Sequence, residues 1–230
     1  MRHQGISYIA LVLAAVFCVC LIVSNLFVPR LWQLGNTSLQ LSGAVVVFPI
    51  SYIINDLVTE VYGYRRAMQM IWLGFILNAF VAVAAYLVTL LPAPIYPESQ
   101  EIAASFNRLF GLIPRTTIAS WIAFVAGEYI NSRVMSRMKV AMQGKGFGWR
   151  AVLSSIAGEL TDSVIFYPLA FVGTLPFLSI LWIIVMQVGC KTLYEVVILP
   201  VTAVLARKLK QVEGIDAFDH GESYHLFKIK

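Results

Sequence analysis

Charge is scarce in this sequence: Asp, Glu, Lys and Arg make up 13% of its 230 residues, against 59% for hydrophobic side chains. A soluble domain carries about a quarter of its residues charged, so a water-exposed globule is excluded and the surplus apolar surface calls for lipid. Histidine and cysteine are also scarce. His3, His220 and His225 lie near the chain ends, and Cys18, Cys20 and Cys190 fall inside apolar runs, which argues against a disulfide framework or a Cys/His metal site. With no His in an apolar run, no H-E-x-x-H motif and no P-loop, the chain lacks the parts of a zinc membrane protease or an ATP hydrolase. Asp56 and Asp162 leave an aspartate dyad open in principle, but nothing in the sequence brings them together. No cofactor is called for.

What the sequence has instead is apolar runs longer than the ~18 residues that cross a bilayer. They fall at 8–28, 39–59, 67–91, 116–135, 151–174 and 177–206. The reading is an all-α, polytopic six-transmembrane-helix bundle over residues 1–210, with a polar, loosely ordered cytoplasmic tail at 211–230. The first run follows Arg2 as a signal peptide would, yet continues without a small-x-small cleavage site and reads as a retained helix. Pro29 and the Gly35-Asn36 pair mark the first connection, and the fifth is a tight turn at Pro176. In the long third connection, 92–114, Ile102, Phe106, Leu109 and Phe110 recur at helical spacing and predict a short interfacial helix.

The net charge of +5 reads as a topology signal rather than a nucleic-acid footprint. Eleven basic residues, among them Arg65, Arg66, Arg133, Lys139, Arg150 and Lys210, fall on one side of the six spans, and only Arg30, Arg108 and Arg115 on the other. That bias puts both termini in the cytoplasm of a plasma-membrane protein, as an even span number also requires.

Six ionisable side chains lie clearly inside the spans: Asp56, Glu128, Glu159, Asp162, Lys191 and Glu195. Each costs ~2.5 to 3.5 kcal/mol on insertion scales unless it finds a partner or water. Glu60 sits at the edge of the second span, and Asn25, Asn55, Asn78, Asn131 and Gln187 add uncharged polar groups. Asp56 with Glu60, Glu159 with Asp162 and Lys191 with Glu195 are three or four apart, so each pair shares a helical face, and their matching depths predict one polar cavity. Two segments on consecutive helices, AGEYINS at 126–132 and AGELTDS at 157–163, share the pattern A-G-E-x-x-[N/D]-S. Each presents a small residue for close backbone approach and two polar groups on one face. Pro49, Pro168 and Pro200 fall within charged spans, where proline frees a backbone carbonyl and kinks a helix.

Structural readings compete with functional ones at these positions. Lys191 and Glu195 read equally as an internal ion pair, Asp56 and Glu60 as a boundary pair near Arg65 and Arg66, and Asn25 as a packing amide. Asp162 is the strongest binding candidate, with no basic residue within one turn in sequence.

Residues 48–63, FPISYIINDLVTEVYG, closely resemble the signature of the bacterial queuosine-precursor transporters, also described as vitamin-uptake transporters. The resemblance extends to Ser24-Asn25, Gly127-Glu128 with Asn131, Ser155, Gly158 and Asp162, and Lys191 with Pro200, covering about residues 8–208. It implies import of 7-cyano-7-deazaguanine or 7-aminomethyl-7-deazaguanine, and a fold akin to the substrate-binding membrane components of energy-coupling-factor importers. A carrier for another small vitamin or nucleobase, or a binding subunit needing an energising partner, stays open. The expected partners are the small molecule and the lipid bilayer, with a homodimer left open and no nucleic acid. A guanine-like edge offers N–H donors beside a carbonyl, so Asp162 or Glu159 would accept from it while Lys191 or an Asn donates. Phe48, Trp121, Phe166, Tyr167 and Tyr194 are candidate stacking surfaces. The candidate substrate site is therefore Asp162, Lys191, Asp56, Glu159, Asn25, Glu128, Glu195, Asn131 and Phe48.

Overall fold

Lipid offers a backbone no hydrogen bonds, so each apolar run must satisfy its N–H and C=O groups within itself, and the runs become helices. The computed structural model describes residues 7–27, 30–33, 40–110, 114–173, 176–221 and 224–225. Among them are seven α-helices: α1 (Tyr8–Phe27), α2 (Phe48–Tyr62), α3 (Tyr64–Thr89), α4 (Pro97–Phe110), α5 (Pro114–Ala141), α6 (Phe147–Phe171) and α7 (Phe177–Glu213). A short antiparallel hairpin, β1 (Leu31–Gln33) with β2 (Gln40–Ser42), precedes α2. The all-α class holds.

By length and apolarity, α1, α3 and the Ile180–Glu213 part of α7 qualify to cross a membrane. At 28 and 25 residues α5 and α6 are long enough, but their carboxylates and hydroxyls lower their apolarity. Helix α2 has 15 residues and so spans about 22 Å, short of a ~30 Å hydrocarbon core. The amphipathic pattern in the third connection does form a helix, α4, with none of its residues buried.

The second predicted run, 39–59, needs correction at its start. Its first residues form β2 and a 3-10 turn at Gly43–Val46, and the α-helix begins only at Phe48. Pro49 therefore occupies the first turn of α2, where its missing N–H costs nothing, and initiates the helix instead of kinking it. Gly43 holds the turn against the end of α1: its N–H donates to Arg30 O at 2.7 Å, and a Cβ there would lie 3.0 Å from Phe27 O. Pro168 and Pro200 do lie inside α6 and α7.

Helix α2 is central, packed against α1, α3, α5 and α7, while α5 and α6 form an antiparallel hairpin with α7 alongside α6. Phe17 and Leu21 from α1, Ile54 and Val58 from α2, Met68 and Ile71 from α3 and Phe124 from α5 build the apolar core. Outward, Leu11, Val19, Phe80, Val83, Leu193 and Val197 remain exposed, as lipid-facing side chains should.

The expectation of a loosely ordered tail does not hold for the described residues. After α7 the chain returns beneath the bundle, where the Ala217 N–H donates to Val61 O at 3.0 Å and Asp219 Oδ2 accepts from the Tyr64 N–H at 2.9 Å. Ser136 Oγ also donates to Asp219, and the Tyr224 ring meets Tyr64 edge-on at 5.0 Å. Gly63, at φ +86°, breaks the chain between α2 and α3; a Cβ there would lie 2.8 Å from Asp219 Oδ1. Polar composition alone concealed these contacts, because the tail's acceptors meet backbone donors that only the fold exposes.

Candidate functional site

The A-G-E repeat is where α5 and α6 cross. A Cβ on Gly127 would lie 2.9 Å from Gly158 O, and one on Gly158 would lie 2.9 Å from both Gly127 O and Asn131 Cβ. Glycine at both positions lets the backbones touch, and the neighbouring Glu128, Asn131, Glu159 and Asp162 are carried to one level of the bundle.

There they meet α2 and α7. Asn55 Nδ2 donates to Glu128 Oε2 at 2.6 Å, and exchanges hydrogen bonds with Ser132 Oγ at 3.1 and 3.2 Å. Ser155 Oγ donates to Glu195 Oε1 at 2.8 Å and lies 3.5 Å from Asp56 Oδ2. Glu128, Asp56, Asn131, Glu159 and Glu195 are all buried. Glu128 Oε1 and Glu159 Oε2 make no hydrogen bond among the described residues.

Lys191 on α7 does not pair with Glu195, contrary to the internal-pair reading. Its Nζ lies 4.0 Å from Asp162 Oδ2, and 4.4 Å from the ring centre of Phe48 and 6.0 Å from that of Tyr52. The basic partner that Asp162 lacks in sequence thus comes from another helix. Phe48 and Tyr52 lie together, centroids 5.4 Å apart, at the start of α2. The cluster therefore combines excess carboxylate, one ammonium and an aromatic surface, suited to a planar polar molecule rich in N–H donors.

Not every predicted residue joins it. Asn25 uses both amide hydrogens elsewhere, donating to Leu21 O and Asn78 Oδ1 at 3.1 Å each and tying α1 to α3. Trp121 packs edge-on against Phe75 of α3, Phe166 and Tyr167 pack on each other, and Tyr194 is exposed. An open groove of about 470 Å³ near the start of α5 and end of α6, bordered by Ile118, Ile122 and Leu169, is apolar and offers little to orient a polar molecule.

Sequence reasoning missed a second charged layer one turn below the cluster. Glu60 receives Arg150 through both oxygens, at 2.5 and 3.0 Å, with Lys210 Nζ at 2.5 Å and Lys139 Nζ at 3.9 Å. Arg65 and Arg66, its expected neighbours, are exposed. Lys139 and Lys210 also hold Asp216 of the tail, at 2.5 and 3.0 Å. Partial burial alone would raise the Asp216 carboxyl, but these hydrogen bonds and charges outweigh it and hold it below its ordinary value. Burial pushes the Lys139 ammonium down, against the pull of Asp216 and Glu60. Only the position of Glu60 one turn after Asp56 hinted at this layer.

A curated relative from Bacillus subtilis (strain 168), named "Probable queuosine precursor transporter", is 26% identical over 157 residues. The match covers 67% of this chain and 66% of the relative, just under two thirds of its length. No solved structure matches the chain. The family model described as "Putative vitamin uptake transporter" matches residues 42–205, well over half the chain and every helix of the polar cluster, so the protein belongs to that family of transporters, which are not enzymes.

Proposed function

We propose that this chain is a carrier of the bacterial inner membrane, crossing it six times with both termini cytoplasmic, that imports 7-cyano-7-deazaguanine or its 7-aminomethyl relative. Helices α1, α2, α3, α5, α6 and α7 are the crossings, with the 3-10 turn extending α2 and α4 lying at the outer interface. Residues 1–210 form the transport domain, and the tail closes its cytoplasmic end.

The observation that carries the reading is the placement of Asp162, Lys191 and Phe48 together, with an acceptor, a donor and a ring around one point. At 4.0 Å the ion pair is loose, leaving each partner hydrogen-bonding capacity for a ligand. The carboxylate takes two N–H bonds from the guanine-like edge, Lys191 donates to its carbonyl, and Phe48 covers a face of the base. Glu159, Glu128 and Asn131 surround this point as further hydrogen-bonding groups. The name of the Bacillus relative supports the substrate class.

The test is restoration of queuosine to tRNA in cells that neither make nor otherwise import the precursors. Asp162→Asn replaces one acceptor oxygen with a donor, and Lys191→Met removes the ammonium. Each change loses one charge-assisted hydrogen bond, so uptake should fall roughly 10- to 100-fold at normal expression. Full uptake by Asp162→Asn would remove that residue from the site. The family's description favours a second reading, a carrier for a vitamin, and binding of one without response to deazaguanines would support it.

A further inference from the structure

Ser155 stands between two buried carboxylates with one hydrogen to give. It donates to Glu195 Oε1 at 2.8 Å, which leaves Asp56 Oδ2, at 3.5 Å, without that proton. Asp56 is 1% exposed and Glu195 7%, and neither has a Lys or Arg within ion-pair distance among the described residues. Asp56 Oδ1 makes no hydrogen bond among them, and the Asn131 amide lies nearby. Two like charges this close in a water-poor interior repel strongly, and a single proton shared by the pair relieves that repulsion.

Among the described residues the surroundings supply no cation to offset the pair's charge. The charged and titratable groups facing it are Tyr52 and Glu60 on α2, Glu128 on α5 and Glu159 on α6. Glu60 is already matched by Arg150 and Lys210, and Lys191, one turn along α7, engages Asp162. Helix α1 carries no charged residue, and none of the buried residues of α3 is charged.

We propose that Asp56 and Glu195, bridged by Ser155, form a proton-binding site joining α2 to α7, and that its proton is bound and released in the transport cycle. Binding forms one carboxyl O–H bond, which can be donated across the pair and holds α2 against α7. Release returns the proton to water, leaves two carboxylates that repel, and loosens that contact. Pro200, five residues beyond Glu195, leaves α7 able to bend there. Only the coupling to transport rests on the function proposed above; the proton site itself does not.

Infrared difference spectroscopy on the purified full-length protein tests the site without any substrate. At neutral pH the wild type should show a protonated-carboxyl C=O component that disappears in Glu195→Gln and shifts, without loss, in Ser155→Ala, where only the hydrogen bond is removed. Spectra of wild type and folded Glu195→Gln with the same carboxyl component would overturn the site, and should Glu195→Gln fail to fold, an unmoved component in Ser155→Ala would do so. In proteoliposomes, an inward proton gradient should raise initial uptake of 7-cyano-7-deazaguanine several-fold in the wild type, and that ratio should fall to about one in Glu195→Gln. A wild-type ratio of one would overturn the coupling. Absence of any uptake of this probe, with the carboxyl component present, would count against the substrate assignment while supporting the proton site.

Discussion

Glu60 shows how much one residue's setting depends on distant parts of the chain. Its partners Arg150, Lys139 and Lys210 lie 90, 79 and 150 residues away. Sequence spacing reveals helical neighbours and nothing so remote, so Lys139 and Arg150 read as surface topology signals, whereas both are buried. The arrangement makes an asymmetric prediction. Glu60→Gln leaves the buried Arg150 without a carboxylate, while Lys139 and Lys210 keep Asp216, and should cost about 3 to 5 kcal/mol, whereas Arg150→Met leaves Glu60 its two lysines and should cost less. Thermal unfolding in detergent measures the order of the two midpoints. A lower midpoint for Arg150→Met would mean that Arg150 acts mainly through its other contacts, the carbonyls of Lys145 and Gly144.

At the scale of helices, the α5–α6 crossing was legible because its requirement is local: a repeated A-G-E on adjacent helices announces small residues beside polar ones. The start of α2 was not, since apolarity alone cannot separate a hairpin and a 3-10 turn from helix when both are apolar. The crossing can be tested through its contacts. In Gly158→Ala the new methyl meets backbone oxygen and Asn131 Cβ at 2.9 Å, and the helices must part at a cost of about 1 to 3 kcal/mol. Parting them also moves Asp162 relative to Lys191, so affinity should fall along with stability. Gly189→Ala on α7, with nothing within 4 Å of its Cβ, is the control and should be neutral or slightly stabilising. Equal midpoints for the two variants would show that close approach does not hold the hairpin together.

For the molecule as a whole, the charge bias of the sequence and the fold point to one face. Ser7 lies 3.5 Å from the Tyr62 hydroxyl, the tail returns to Val61 and Tyr64, and Lys139 and Arg150 flank the α5–α6 turn, so the groups counted as cytoplasmic gather at one end. What composition did not reveal is that the tail fastens that end. Asp216, held below its ordinary carboxylate range by Lys139 and Lys210, is the tail's charged anchor beneath Glu60. A depressed folded-state value means that the contribution is fully present above the unfolded carboxylate value, near 4, and is lost as pH falls through the folded one. Amide hydrogen exchange at Ala217, whose N–H bonds Val61 O, reports on the tail directly. Its protection should stay constant from neutral pH down to about pH 4 and decline below that. Asp216→Asn should lower it at neutral pH by up to about tenfold, the anchor being partly exposed and its charges screened. Unchanged protection in Asp216→Asn would shift the fastening to Asp219, whose bonds from the Tyr64 N–H and Ser136 hydroxyl would then hold the tail unaided.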